Sequence, residues 1–186
     1  MVNSEFRMPD HLLTLDEWAA LPEDTSRWYE LVDGVVVAAP RQGSNHQWVM
    51  GQLLAQLAAQ LPPRLAAIYG MEVTIFDAFP PTVRVPDLVV VPDAVGRASL
   101  ARFAAADVQL AVEVVWAGSR RTDRVTKPSE YAEAGIPNYW IVDTEPATIT
   151  VFELADRGYK LVTESSTTLS VTAPVPLSVD VTALLP

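Results

Sequence analysis

Asp87, Glu113 and Lys127 are the residues of this chain whose types and order most clearly suggest chemistry. Asp87 follows Pro86 in an apolar run, and Glu113 lies in the middle of the next apolar run. An ionised carboxylate is expensive to bury alone, and two on neighbouring strands repel each other unless a cation lies between them. A hard divalent ion such as Mg²⁺, bound by carboxylate oxygens, a backbone carbonyl and waters, would satisfy both acids. Two acids with a nearby amine therefore predict a divalent-metal phosphodiesterase site.

The two acids also have simpler interpretations. A single acid at a strand end, such as Asp87, is commonly a cap, a turn residue or one member of a salt bridge. Glu113 could form a buried ion pair with an arginine, for which the candidates are Arg84, Arg120 and Arg121. The two acids together are harder to explain in this way, because both interrupt runs of buried character.

Lys127 is expected at or near the start of a helix. In such a helix Asp123, Lys127 and Tyr131 fall on one face, at i, i+4 and i+8. An amine there could orient a nucleophilic water or stabilise charge on a phosphate oxygen. Pro128 removes a helical hydrogen bond beyond the first turn, so the helix could begin near Thr126 and leave the lysine at its mouth. A solvated lysine is the simpler alternative.

Composition favours one compact domain over residues 1–186, because 49% of its residues are hydrophobic and no linker divides them. The formal net charge of −10 argues against loose, charge-driven binding to nucleic acid, so such a substrate would need a local basic patch and a metal.

The absence of cysteine excludes a disulfide framework, a thiolate metal site and a thiol nucleophile. No apolar run approaches the roughly 20 residues of a membrane helix, so a cytoplasmic protein without membrane contact is expected.

A short helix followed by a hairpin is predicted near the N-terminus, over about residues 14–39. Thr14 and Glu17 have the form of a capping box, and the pair Asp33-Gly34 indicates a tight turn between two runs with strand character. Glu30 lies on the first arm of this hairpin.

A core of helices and strands is predicted over about residues 44–163. It begins with the longest helix, which Ser44 and Gln47 would cap as a second capping box. Strands are expected at 66–76, 82–91, 108–116, 138–142, 148–154 and 159–163, with a helix at about 123–134. This order predicts an α/β fold with a central mixed sheet flanked by helices. The apolar stretch from Val171 to Leu185 could close the sheet or form an interface.

These residues resemble the PD-(D/E)XK nuclease superfamily, whose core carries a metal-binding Asp and Glu on adjacent strands and an active-site lysine. That lysine normally lies two residues after the Glu, where this chain has Val115. The closer resemblance is to the bacterial Uma-type family of restriction endonucleases, in which the lysine has moved to the following helix. The motifs that carry it, between about Leu15 and Phe152, are Tyr29-Glu30-Leu31-Val32-Asp33-Gly34, Arg84-Val85-Pro86-Asp87, Glu113-Val114, Lys127 with Tyr131, and Ala134-Gly135-Ile136-Pro137 through Tyr139-Trp140-Ile141-Val142-Asp143.

The resemblance implies a restriction-endonuclease-like core, DNA as substrate, and dependence on Mg²⁺, for which Mn²⁺ could substitute. It gives Asp87, Glu113 and Lys127 as the catalytic set, with the backbone carbonyl of Val114 as a further metal ligand. Glu30 matches a family position that could reach the metal or its water, although a hairpin residue facing solvent is an equal alternative. A homodimer is plausible, because enzymes of this superfamily that cut both strands usually pair two sites.

Three residues are expected to contact substrate: His46, Arg84 and Tyr131. His46 would lie at the start of the long helix, where a histidine could contact phosphate or metal. The simpler interpretation is that its side chain caps the helix and packs against it. The chain departs from the family where a serine often follows three residues after the Glu. That position is Trp116, which predicts an altered loop next to the metal.

Two hypotheses of different classes result. The first is a Mg²⁺-dependent endonuclease that acts on DNA. The second is a catalytically silent nuclease fold that serves as a binding or assembly module, favoured by the net charge of −10 and by Trp116. A phosphodiesterase for a smaller nucleotide is a third possibility, because it tolerates an acidic surface better.

Overall fold

The computed structural model describes residues 8–22, 28–39, 42–115 and 118–186, and it describes Ala39 through its backbone only. The loop expected to be altered at Trp116 lies outside these residues. The helices are α1 (Leu15–Ala19), α2 (Ser44–Ala58), α3 (Asp93–Gly96) and α4 (Lys127–Glu133). The strands are β1 (Trp28–Val32), β2 (Val35–Ala39), β3 (Leu65–Tyr69), β4 (Val73–Phe76), β5 (Thr82–Arg84), β6 (Leu88–Pro92), β7 (Phe103–Ala104), β8 (Leu110–Val115), β9 (Asn138–Thr144), β10 (Ala147–Ala155), β11 (Gly158–Ser165), β12 (Thr168–Val171) and β13 (Leu177–Asp180). Short 3₁₀ turns span Ala105–Asp107 and Thr182–Leu184, and a π-helical turn spans Thr122–Thr126.

The strands form two main sheets and one small hairpin. The larger sheet has the order β11-β10-β9-β8-β6-β3, and the smaller has the order β2-β1-β5-β4-β7. Strands β8 and β9 are parallel in the larger sheet, and β4 and β7 are parallel in the smaller one. The other pairs in both sheets are antiparallel. The predicted class, a mixed sheet with helices packed on it, is confirmed.

Strand β8 is buried on both faces, which explains its continuous apolar run. Val112 and Val114 pack toward α2 in one hydrophobic cluster, and Ala111 and Val115 belong to a second cluster with Tyr131 of α4. Side chains alternate between the faces of a strand. Glu113 therefore faces the α4 side, between two residues of the second cluster.

The N-terminal helix and hairpin form as predicted. The hydroxyl of Thr14 accepts a hydrogen bond from the backbone N–H of Glu17, and the Glu17 carboxylate accepts one from the backbone N–H of Thr14. Asp33 and Gly34 both have positive φ, 48° and 76°, as the tight turn between β1 and β2 requires. The hairpin is not a separate unit, because Leu31 of β1 pairs with Val83 of β5 in the smaller sheet.

Helix α2 is the longest helix of the described part of the chain, with 15 residues. The predicted second capping box, formed by Ser44 and Gln47, is wrong. Gly43 occupies the N-cap position with an extended backbone and no side-chain cap, so Ser44 is already helical. The side chain of Gln47 donates instead to that of Gln42 at 3.2 Å.

Two predicted strands are each divided between the two sheets. The run 66–76 becomes β3 of the larger sheet and β4 of the smaller one, with Gly70 at a φ of 60° between them. The run 82–91 becomes β5 and β6, which also lie in different sheets. Both halves of each run are largely apolar, so hydrophobicity does not reveal where the chain crosses from one sheet to the other. Asp87 lies at the second crossing, immediately before β6.

The C-terminal apolar stretch lies in the core. Leu169 of β12, Val179 of β13 and Leu184 pack with Leu53 and Leu57 of α2. The side chain of Gln56 fixes this contact, because it bonds both the N–H and the carbonyl of Asp180. These buried side chains are thus not available for an interface. None of the helices in the described ranges is long and apolar enough to span a bilayer.

Candidate active site

A cleft of about 370 Å³ brings together six of the eight predicted site residues. These are Glu30, Arg84, Asp87, Glu113, Val114 and Lys127, whereas His46 and Tyr131 are not among its described lining residues. The cleft contains segments of both sheets and of the π-helical turn before α4. Its charged lining residues are Glu30, Arg84, Asp87, Glu113, Asp123 and Lys127, and all six are buried. The alternative in which Glu30 faces solvent is wrong, because the residue is only 7% exposed. Four separate segments of the chain supply these six residues.

Asp87 is held by three hydrogen bonds. Gln42 Nε2 donates to Oδ1 at 2.8 Å, and the backbone N–H of Val114 donates to Oδ2 at 2.7 Å. His46 Nε2 lies 3.0 Å from the same Oδ2. Burial alone would raise the pKa of Asp87, but the His46 hydrogen bond, with the charge of Lys127 and the Val114 N–H, outweighs it and lowers the pKa. Asp87 is therefore an oriented, ionised carboxylate.

Glu113 is bound by two donors from the helix that follows. Lys127 Nζ lies 2.9 Å from Oε1, and the Tyr131 hydroxyl donates to the same oxygen at 2.8 Å. Burial raises the pKa of Glu113 well above its ordinary value; Lys127 opposes this change, whereas Asp123, Asp87 and Glu30 add to it. The alternative in which Glu113 pairs with an arginine is wrong, because its buried cationic partner is Lys127.

The Lys127 amine is directed into the cleft. Besides Glu113, it lies 3.4 Å from Glu30 Oε1 and 3.6 Å from Asp123 Oδ1. Burial would lower its pKa, but these carboxylates outweigh burial and raise the pKa above the ordinary value. Lys127 thus stays protonated, and the alternative of a solvated lysine is wrong because the side chain is only 8% exposed.

The helix geometry at Lys127 resolves the conflict with Pro128. The π-helical turn Thr122–Thr126 precedes α4, and α4 begins at Lys127 with the proline in its first turn. Such turns occur frequently at functional sites. Tyr139 fixes this turn, since its hydroxyl donates to the backbone carbonyl of Asp123 at 2.7 Å.

Arg84 connects the smaller sheet to α4. Its guanidinium donates to Glu30 Oε2 at 2.8 Å and binds both carboxylate oxygens of Glu130, at 2.7 and 2.6 Å. Glu30 Oε1 also accepts the backbone N–H of Val85 at 3.0 Å. Burial would raise the pKa of Glu30, but the charges of Lys127 and Arg84 outweigh it and lower the pKa. This network fixes Glu30 beside the lysine.

The donor chemistry of the cleft fits a hard divalent cation. Four buried carboxylates face two cationic side chains, and the pKa of Asp123, like that of Glu113, is raised mainly by burial. Within the described ranges, no three Asp, Glu, His or Cys side chains are grouped so that they could hold a metal by themselves. Mg²⁺ needs no such group, because it commonly takes one or two carboxylates and keeps several waters. Asp87 and Glu113 could therefore hold it.

The expected substrate contacts of three residues do not agree with their placement. Tyr131 is fully buried with its hydroxyl on Glu113, and His46 is 4% exposed with its ring on Asp87. Arg84 is 3% exposed and committed to two glutamates. His46 and Tyr131 thus orient acids from outside the cleft lining, whereas Arg84 lines the cleft with its guanidinium bound to two glutamates.

Two cleft residues were not singled out from the sequence. Gln42 bonds Asp87 across 45 positions, and nothing in its surroundings in the chain points to that contact. Asp123 was recognised only as a neighbour of Lys127 on a helix face. A signal for it was present, because an acid four residues before the lysine belongs on the same side of the helix.

Comparisons with known proteins give a family for the chain and support its fold. A family model, Uma2, described as "Putative restriction endonuclease", matches residues 13–183. A solved structure, described as a "putative nuclease belonging to DUF820" from Anabaena variabilis ATCC 29413, matches with a TM-score of 0.70. The two sequences are 19% identical over 92% of this chain and 97% of that chain, so the likeness concerns the fold. A search of curated proteins finds no match.

Proposed function

The chain belongs to the Uma2 family, and from this premise we propose that it is a Mg²⁺-dependent endonuclease that hydrolyses phosphodiester bonds in DNA. The observation that carries the proposal is the convergence of Asp87, Glu113 and Lys127 in one cleft, with Lys127 Nζ bonded to Glu113. Two acids and an amine form the group that the resemblance to this family implies.

Asp87 and Glu113 would hold the metal, with the carbonyl of Val114 as a further ligand and Mn²⁺ as an accepted substitute. A bound Mg²⁺ supplies Lewis acidity, polarising the phosphate and lowering the pKa of a coordinated water. Asp87 suits this role because its three donors fix its orientation and its lowered pKa keeps it ionised. His46 and Gln42 act on it as positioning residues.

Lys127 is placed to act as a cation and hydrogen-bond donor, because its amine lies 2.9 Å from Glu113 Oε1 inside the cleft and the surrounding carboxylates raise its pKa. A protonated amine beside a bound phosphate would stabilise negative charge that develops on a phosphate oxygen. Glu30 and Tyr131 keep this amine and its partner Glu113 in place.

Cleavage assays test the proposal. Wild-type protein with Mg²⁺ or Mn²⁺ should cut plasmid or single-stranded DNA, and Glu113→Ala should lose that activity. Glu133→Ala is the matched control, because Glu133 lies at the exposed end of α4 and should leave the rate unchanged. Uncut substrates with both metals, or equal cutting by wild type and Glu113→Ala, would contradict the proposal.

The silent binding module remains a second candidate, favoured by one observation. Lys127 already supplies a cation to Glu113, so this acid is compensated by the chain itself. Calorimetric titration with Mg²⁺ and Mn²⁺ separates the candidates. Binding that Asp87→Asn abolishes supports the nuclease, whereas no binding to wild type supports the silent module. Hydrolysis of dinucleotides, without cutting of DNA, would favour the enzyme for a smaller nucleotide.

A homodimer is also part of the proposal, because the resemblance to the PD-(D/E)XK superfamily implies that two sites can pair. Sedimentation velocity tests it, and a dimer is the expected result. A monomer that nevertheless cuts one strand at a time would remove the dimer and keep the nuclease.

A further inference from the structure

Two exposed aromatic side chains line the cleft that holds Asp87 and Glu113. Trp28, at the start of β1, is 51% exposed, and Tyr69, at the end of β3, is 59% exposed. Large aromatic side chains are usually well buried, because their burial is strongly favourable. Two of them left in water on the wall of one cleft indicate a surface for a ligand with an aromatic face.

The Trp28 ring lies close to the backbone of Gly70, the residue after Tyr69. A Cβ built on Gly70 would lie 3.2 Å from Cη2 of Trp28 and 3.7 Å from Cζ2, so the ring lies against the glycine backbone. Gly70 has a φ of 60°, which glycine adopts without strain. Its N–H donates to the carbonyl of Asp87 at 3.3 Å. The turn that follows Tyr69, against which the Trp28 ring lies, is therefore bonded to the backbone of a proposed metal ligand.

The positive charges of the same cleft are already paired. Arg84 and Lys127 are the two basic residues among its described lining residues. Arg84 is bound by Glu30 and Glu130, and Lys127 by Glu113. Proteins that hold duplex DNA neutralise several phosphates with free lysine and arginine. This cleft, in a chain of net charge −10, has no such set among the residues described.

We infer that Trp28 and Tyr69 stack on unpaired nucleobases and that this cleft takes single-stranded DNA rather than intact duplex. The inference rests on the proposed nuclease function and names the form of its substrate. Stacking uses the π face that every unpaired base presents and contributes about 1–3 kcal/mol per base. In a duplex these faces are covered by neighbouring base pairs and are not available to Trp28.

Fluorescence anisotropy in EDTA measures this binding without hydrolysis. The probes are a labelled oligothymidylate of about 12 nucleotides, its duplex with oligoadenylate, and an abasic strand of equal length. Wild-type protein should bind the oligothymidylate about tenfold more tightly than either other probe. Trp28→Ala should weaken this binding about tenfold, and Trp28→Phe should retain most of it. Trp48→Ala is the matched control, because Trp48 is 49% exposed on α2, and it should bind as wild type does.

Equal affinity for the abasic strand or for the duplex would overturn the inference, and so would equal effects of Trp28→Ala and Trp48→Ala. A dimer that Trp28→Ala dissociates, without base-dependent binding, would show that a second copy of the chain covers the aromatic residues, and this also overturns it. Base-dependent binding without cleavage in Mg²⁺ or Mn²⁺ would contradict the proposed function alone, which keeps the two failures distinguishable.

Discussion

Lys127 Nζ lies 2.9 Å from Glu113 Oε1, and this contact joins the first residue of α4 to the middle of a buried strand. The bond links the larger sheet to the helix at the cleft. It also places an amine among the carboxylates of Glu113, Glu30 and Asp123. Lys127, which precedes Pro128 in the sequence, therefore carries the amine around which these acids are arranged.

Tyr131→Phe should slow cleavage about tenfold, because Glu113 then loses one of the two donors on Oε1. Tyr159→Phe is the matched control. Its hydroxyl bonds the backbone carbonyl of Ile136 and lies outside the lining of the cleft. Both variants should lose about 1 kcal/mol of unfolding free energy, but only Tyr131→Phe should lose rate. Equal rates for the two variants would show that the Tyr131 hydroxyl does not orient Glu113.

His46→Ala should weaken Mg²⁺ binding about 10- to 100-fold in calorimetric titration, because the ring no longer holds Asp87 Oδ2. His46→Asn, which keeps a donor, should recover part of the affinity. The chain has one other histidine, His11, which is exposed near α1. His11→Ala should bind Mg²⁺ as wild type does. The positioning role of His46 is refuted if both alanine variants bind Mg²⁺ equally well.

Glu30→Gln should destabilise the protein by about 2 kcal/mol at neutral pH. Burial would raise the pKa of Glu30, but Lys127 and Arg84 hold it below its ordinary value of 4.5. A carboxylate whose pKa falls on folding stabilises the protein above its unfolded pKa, and this contribution is lost as pH falls through the folded pKa. Urea unfolding over a pH series should thus show the two proteins converging below about pH 4.5. A difference that is constant across this range would contradict the assignment.

The two proposed metal ligands could be singled out from the sequence because each is an anomaly in its own segment. Asp87 and Glu113 interrupt apolar runs, and an acid in such a run needs a partner wherever the run packs. Helix spacing likewise predicts that Asp123, Lys127 and Tyr131 share a face, and all three contact the site or one another in the structure.

Contacts between distant segments could not be predicted in this way. Gln42 and His46 reach Asp87 from about 40 positions away, and no local pattern encodes such a pairing. The crossings from β3 to β4 and from β5 to β6 are hidden for another reason. Hydrophobicity reports that a segment is buried, but not in which of two sheets. Trp28 and Tyr69 appear from the sequence alone as ordinary strand residues.

The two lysines of the chain, Lys127 and Lys160, allow a decisive comparison. Lys160 lies exposed on β11, so Lys160→Met removes the same charge away from the cleft. Single-turnover cleavage of single-stranded DNA in Mg²⁺ should be about 10²- to 10³-fold slower for Lys127→Met than for wild type, and unchanged for Lys160→Met. Both variants must be shown to be folded by their thermal unfolding. Wild-type rates for a folded Lys127→Met would contradict the proposed active site.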